Sequence, residues 1–173
     1  NSLAEYMKKN GDVVYFCLPP TAWNRKIPNK EKIYIGNRFS VKCARLISFI
    51  FNGEHIANYF STLIFLTRLK KIAPDVIHLH NLHSSYINIP LLFSYIRKSR
   101  KPTIWTLHDC WPLTGHCAHY VYIGCNKWKT GCYNCSLYRV YPATLFDNST
   151  YLYELKKNAF SKVPNLQLVA VST

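Results

Sequence analysis

The apolar residues of this chain recur at two different spacings, and the spacing predicts which segments are strands and which are helices. Five apolar runs have the length of a short buried strand: residues 12–18, 32–35, 76–80, 102–107 and 166–171. Five segments carry apolar residues at helical spacing: residues 1–10, 39–52, 54–72, 87–99 and 151–161. Gly11 closes the first helix as a C-cap, and Gly53 separates the second from the third.

Alternating strands and helices predict right-handed βαβ units, and therefore an α/β fold with a Rossmann-like parallel sheet flanked by helices. Residues 109–148 interrupt this alternation. They are rich in Cys, Tyr, Gly and Trp and have no clear period. A loop of this length in a compact domain needs stabilisation by a cross-link or metal, or has a function of its own. We therefore treat 109–148 as a Cys-rich, irregular insert.

The length of the chain and its composition predict one globular domain. The 173 residues are 49% hydrophobic and 17% charged, which excludes a disordered chain. Residues 1–10 have the pattern of a helix that is already under way. We therefore expect residues 1–173 to be a single but incomplete domain.

The charge balance is strongly basic, with 22 Lys and Arg against 8 Asp and Glu and a formal net charge of +14. Such a domain meets an acidic partner, which can be nucleic acid, an anionic bilayer or a phosphorylated small molecule, unless the charge serves solubility alone. The basic residues are scattered, and no recognition helix follows the cysteines, which disfavours a zinc-containing nucleic-acid-binding module. No signal peptide or bilayer-spanning run is present, so we expect a cytoplasmic location.

Two predicted strands end in chemically capable side chains. Residues 78–83 read HLHNLH and residues 108–111 read HDCW, and ligands of open α/β sheets bind at the carboxyl ends of the strands. His78 and His80 share one face of their strand, and we expect His78 to be a hydrogen-bonded core residue and His80 to be functional. His108 also lies at a strand end, where Asp109 offers a carboxylate beside its imidazole.

A different chemistry is open for the first of these segments. His78, His80 and His83 have the H-x-H-x-x-H spacing of the zinc motif in metallo-β-lactamase-type hydrolases. Leu82 stands where those enzymes have an Asp, and their fold has a different layout. The metal-dependent hydrolase is therefore the alternative hypothesis.

Four cysteines of the insert have spacing suited to a metal. Cys117, Cys125, Cys132 and Cys135 form C-x7-C-x6-C-x2-C, with a glycine shortly before each of the first three. Four thiolates close a tetrahedral structural zinc site, and His116 or His119 are substitute ligands. Free thiols and disulfides remain open as well, although seven cysteines is an odd number.

Three stretches together resemble a known family. Residues 74–81 (PDVIHLHN), 106–117 (TLHDCWPLTGHC) and 124–135 (GCNKWKTGCYNC) are similar to family 4 retaining glycosyltransferases, in particular the bacterial branch that acts in capsule, exopolysaccharide and colanic-acid-type synthesis. Members are GT-B enzymes, in which two Rossmann-like domains face each other across a cleft. The resemblance implies that this chain is a truncated N-terminal, acceptor-side domain without its first strand and without the C-terminal donor domain.

The resemblance also implies roles for individual residues. His108 is the catalytic residue near the transferred sugar, and the acceptor side is formed by His80, Asn81 and His83. Asp109, Trp111 and Thr114 adjoin His108 and are assigned to the sugar site. Cysteines matching Cys117, Cys125, Cys132 and Cys135 recur in this branch, and zinc bound there would be structural. The resemblance separately implies transfer without a catalytic metal.

The function expected from the resemblance is transfer of a sugar from a nucleotide sugar to a saccharide acceptor, linked to polyprenyl diphosphate, in surface polysaccharide synthesis. The nucleotide sugar would be bound mainly by the donor domain, so we expect the fragment alone to be inactive. The positive charge would hold the domain on the inner face of the plasma membrane as a peripheral protein.

Overall fold

The computed structural model describes residues 2–51 and 56–171. In this part of the chain five α-helices and five strands alternate, apart from the adjacent pairs of helices and strands. The helices are α1 (Ser2–Lys9), α2 (Arg38–Phe51), α3 (Tyr59–Ile72), α4 (Ile89–Ser99) and α5 (Ser149–Phe160). The strands are β1 (Phe16–Leu18), β2 (Lys32–Tyr34), β3 (Ile77–Leu79), β4 (Thr103–Leu107) and β5 (Leu166–Ala170). The predicted α/β class is confirmed, while the predicted break at Gly53 lies outside the described residues.

All strand pairing in the described residues is parallel, but the strands form two sheets. One sheet pairs β1 with β2, and the other has the order β3-β4-β5. These orders correspond to strands 3-2 and 4-5-6 of the doubly wound order 3-2-1-4-5-6.

Capping residues define where α4 begins and where it ends before β4. The Asn88 side chain caps the helix by accepting the Leu91 backbone N–H at 3.1 Å, and Pro90 occupies the first turn, where no N–H is needed. Arg100 ends the helix in the left-handed conformation (φ 52°), with its N–H donated to the Ile96 carbonyl. The chain then turns directly into β4.

The main core is formed by buried residues of α3, α4, β3 and β4, and Phe160 of α5 packs against it. Phe93 of α4 is fully buried, and its ring centroid lies 5.4 Å from that of Trp105 on β4 and 4.6 Å from that of Phe160 on α5. Such tilted aromatic contacts hold helix and sheet in one relative position. The core thereby fixes β3 and β4 side by side, with their carboxyl ends at the same edge.

The insert has no regular framework of its own. Residues 109–148, all of which the structure describes, contain three one-turn 3₁₀ helices and no strand, as the missing period predicts. Hydrogen bonds attach the insert to the rest of the domain: the Leu145 N–H donates to the Phe49 carbonyl at 2.9 Å, and the Tyr153 hydroxyl of α5 donates to the Trp128 carbonyl at 3.0 Å.

Candidate functional site

The predicted strand ends do meet at one edge of the sheet. His80 follows β3, His108 follows β4, and Nδ1 of His80 lies 2.9 Å from Nε2 of His108. The two rings are stacked with centroids 5.2 Å apart, and both residues are exposed. The parallel pairing that sets Leu79 opposite Trp105 brings these tips together.

His78 has a different environment from His80, although the two rings lie on the same face with centroids 4.3 Å apart. Nε2 of His78 is hydrogen-bonded to Thr106 Oγ1 at 2.8 Å, and the residue is half-buried. Burial lowers the pKa of His78, and the neighbouring His108 lowers it further. His78 is therefore the hydrogen-bonded strand residue that the sequence predicts.

The electrostatics of the pair favour a neutral His80. Although His80 is exposed at the sheet edge, partial desolvation of its ring lowers the pKa of His80, and the charges of His78 and His108 lower it further. Two imidazoles in hydrogen-bond contact need one N–H donor and one acceptor, which a neutral ring provides. Since Nδ1 of His80 faces Nε2 of His108, the ring atoms left to meet a substrate are Nε2 of His80 and Nδ1 of His108.

The carboxylate of Asp109 does not lie where the sequence predicts. We expected it beside the His108 imidazole, but its Oδ2 lies 3.0 Å from Nε2 of His83. The physical reason is a turn: Oδ1 of Asp109 accepts the Trp111 backbone N–H at 2.9 Å at the start of a 3₁₀ helix. This bond points the carboxylate away from His108 and towards the loop after β3.

The His83–Asp109 pair is largely shielded from solvent, with side chains 12% and 11% exposed. Burial alone would raise the pKa of Asp109, but hydrogen bonds from His83 and from the Trp111 N–H hold it below its ordinary value. On the other side of the His83 ring, Nδ1 lies 3.0 Å from Ser84 Oγ and 3.3 Å from the Tyr141 hydroxyl. His83 is thus held by both the site loop and the insert.

Asn81 lies next to the paired histidines on an anchored backbone. The residue is exposed, while its carbonyl accepts the Tyr86 hydroxyl at 2.8 Å. The preceding carbonyl, that of His80, accepts Nε1–H of Trp105 at 2.9 Å. The loop therefore presents Asn81 and His80 on a backbone that the core holds in place.

Trp111 and Thr114, assigned to the sugar site from the sequence, are buried, at 2% and 1% exposed. The Thr114 hydroxyl donates to the Cys117 carbonyl at 2.6 Å. The Trp111 ring lies 4.0 Å from Nζ of Lys156, which also donates to the Trp111 carbonyl at 2.8 Å. Because both side chains are buried, they are better placed to stabilise the turn at Asp109 than to contact a sugar directly.

Sequence reasoning missed two residues that complete the site. Lys156 is only 3% exposed, and its spacing from the buried Ser149 and Leu152 was a signal that it lies on the inner face of α5. Tyr141 contacts His83 across 58 positions of sequence. No local pattern predicts such a contact.

The four predicted ligand cysteines line one cavity of about 220 Å³, together with the buried His116. All four cysteines are free thiols. A hydrogen bond to Cys117 lowers the pKa of Cys135 to about 7. His119 is exposed and does not line this cavity. Across residues 2–51 and 56–171, no three His, Cys, Asp or Glu side chains are grouped so as to hold a metal ion.

Comparison with known proteins decides the family. Residues 1–144 match the family described as Glycosyltransferase Family 4. The chain belongs to this family. It is also 33% identical over 119 residues to a protein of Escherichia coli (strain K12) assigned as the colanic acid biosynthesis glycosyl transferase WcaC. The aligned region covers 66% of this chain and 28% of that protein. No solved structure matches the chain at a significant level.

The match to glycosyltransferase family 4 confirms the resemblance seen in the sequence. The matched region includes both strand ends and all four cysteines of the insert, whereas α5 and β5 lie beyond it. Membership of this family disfavours the metal-dependent hydrolase. In addition, His78 is hydrogen-bonded to Thr106 and His83 is paired with Asp109, so each of these rings already has a protein partner. In the described part of this family 4 domain, no helix is long and apolar enough to cross a bilayer.

Proposed function

We propose that this chain is the acceptor-side part of a glycosyltransferase that moves a sugar from a nucleotide sugar to a saccharide acceptor in surface polysaccharide synthesis. Family membership and the similarity to a colanic acid biosynthesis glycosyl transferase support the proposal. The chain spans 28% of the length of that relative. The activity is therefore proposed for the full enzyme.

The observation that carries the proposal is the exposed His80–His108 pair at the carboxyl edge of a parallel sheet. In glycosyl transfer an acceptor oxygen bonds to the anomeric carbon, the bond from that carbon to the nucleotide phosphate breaks, and the acceptor hydroxyl loses a proton. His108 lies at the exposed edge, where it would position the transferred sugar through Nδ1. His80 would fix the tautomer of His108 through the 2.9 Å contact.

The acceptor would bind beside this pair. Asn81 offers an amide that both donates and accepts hydrogen bonds, which suits sugar hydroxyls. The His83–Asp109 pair adds a carboxylate whose pKa is held low, so it stays ionised at neutral pH and can accept hydrogen bonds from sugar hydroxyls. The nucleotide sugar would be bound mainly by a second domain of the full enzyme, with retention at the anomeric carbon and no catalytic metal.

An acceptor linked to polyprenyl diphosphate would keep the enzyme at the inner face of the plasma membrane. Helices α2 and α3 each expose large apolar residues beside basic ones, and we call these exposed residues the outer helical surface. Its apolar members are Phe39, Leu46, Phe60 and Ile64, and its basic members are Arg38, Lys42, Arg45 and Arg68. This combination complements an anionic bilayer, in which apolar groups enter the interface and basic groups meet lipid phosphates.

The activity is tested by incubating the full-length enzyme with a panel of nucleotide sugars and a lipid-linked saccharide acceptor. We expect transfer that depends on the acceptor and leaves the transferred sugar with its original anomeric configuration, as read by NMR. An inverted product would contradict the retaining mechanism. Hydrolysis of phosphate or amide bonds without glycosyl transfer would contradict the function.

A further inference from the structure

We propose that Cys117, Cys125, Cys132 and Cys135 bind one structural Zn²⁺ that holds the insert against the domain. Glycosyl transfer makes no use of these four thiols, yet residues spread over 19 positions of sequence line a single cavity of about 220 Å³. Four cysteines that converge on one space are the donor set of a closed, tetrahedral zinc site.

The backbone at Gly115 packs closely against the side chain of Cys132. The Gly115 backbone N–H donates to Sγ of Cys132 at 3.1 Å, an outer contact of the kind that orients a metal ligand. A Cβ at position 115 would lie 2.9 Å from Cβ of Cys132 and 2.1 Å from the Ser149 carbonyl oxygen. Only glycine therefore lets the two segments come this close.

Basic side chains surround the proposed ligands. Nζ of Lys127 donates to the carbonyls of Tyr133 and Asn134 at 3.1 Å each, which closes the turn between Cys132 and Cys135. Lys156 is buried and acts electrostatically on Cys132. A zinc ion with four thiolates carries a net charge of about −2, which these two ammonium groups offset.

Binding requires the sulfurs to draw together within their cavity, because no three metal-binding side chains are grouped for a metal in the described arrangement. Four thiol protons leave to solvent and four Zn–S bonds form, so the hydrogen bond between Cys117 and Cys135 is replaced. The insert, with three one-turn helices and no strand in residues 109–148, would gain from the metal the folding free energy that secondary structure does not supply.

The test is zinc content and free-thiol counting on the full-length protein and on two variants. We expect about one zinc per chain in the unmodified protein and in Cys110→Ser, a control in the same insert, and none in Cys132→Ser. Should Cys132→Ser fail to fold, cobalt replaces zinc in the unmodified protein, and thiolate-to-cobalt charge transfer with tetrahedral bands is expected.

Several results would overturn the proposal. They are a metal-free protein whose thiols titrate freely, a metal-free protein with a disulfide in the insert, zinc retained by Cys132→Ser, and cobalt spectra without thiolate bands. Because the readouts are metal content and spectra, the proposal fails or stands independently of the sugar-transfer activity.

Discussion

At the scale of single residues, the paired imidazoles of His80 and His108 are the feature on which the proposed chemistry rests. The two histidines are 28 positions apart in the sequence, so the local chain does not bring their rings together. The contact exists because β3 and β4 are neighbours in a parallel sheet, which the alternation of strands and helices predicts. This part of the site could therefore be predicted from sequence.

The partner of Asp109 could not be predicted in the same way. Adjacency in sequence favoured His108, whereas the turn that Asp109 caps directs its carboxylate to His83. Burial of Trp111 follows from contacts with α5, through Lys156. Such contacts depend on how the insert folds. Residues 109–148 have no regular hydrophobic spacing from which that fold could be predicted.

The lowered pKa values of His78 and His80 predict a pH dependence of stability. The unfolded chain binds protons at an ordinary histidine pKa of about 6.5, above the folded values, so it takes up protons first as the pH falls. Stability is then fully present above about pH 6.5 and is lost as the pH falls through the folded pKa values.

Urea unfolding followed between about pH 8 and about pH 5.5 measures this dependence. We expect the midpoint to decrease on acidification, and to decrease less in His80→Gln, which does not titrate. The groups that face His80 are His78 and His108, so His119→Gln, an exposed histidine of the insert, serves as the control and should keep the full dependence. A pH-independent midpoint in the unmodified protein would contradict the lowered pKa values.

At the scale of elements, most helices and strands were predicted within two residues of their observed ends. The periodic segments 87–99 and 151–161 correspond to α4 and α5 within two residues at each end. The strand predicted over 12–18 is reduced to Phe16–Leu18, because strand length depends on a pairing partner and, within residues 2–51 and 56–171, β1 pairs with β2 alone. Apolar runs predict that a strand exists, while pairing decides how long it is.

The outer helical surface on α2 and α3 predicts binding to anionic membranes. Vesicles of anionic lipid should retain the full-length protein at low salt and release much of it at high salt, because screening weakens the contact of Lys42 and its basic neighbours with lipid phosphates. Phe60, at 78% exposed, contributes apolar burial, so Phe60→Ser should reduce retention.

Val121→Ser is the matched control for this sedimentation measurement, since Val121 is equally prominent at 71% exposed but lies in the insert. Retention should be unchanged in this variant. Equal binding to neutral vesicles, or equal losses in Phe60→Ser and Val121→Ser, would contradict docking through the outer helical surface.

At the scale of the whole molecule, the site occupies one edge of the three-stranded sheet, and the proposed transfer reaction would need a donor opposite that edge. The formal charge of +14 suits partners that carry phosphate, both the nucleotide sugar and a lipid-linked acceptor. The insert lies beside the same edge, where Tyr141 contacts His83. Under the proposed function, the acceptor would bind at this edge, beside the insert.

The most direct test of this account is the kcat of sugar transfer in the full-length enzyme carrying His108→Ala, with His119→Ala as a matched control. Loss of a positioned group at the reacting centre should lower kcat by about 100-fold or more, while the unfolding midpoint stays that of the unmodified protein. His119→Ala, an exposed histidine of the insert that has no assigned role in the transfer, should retain full activity. Unchanged turnover in His108→Ala would remove this histidine from the site and contradict the account.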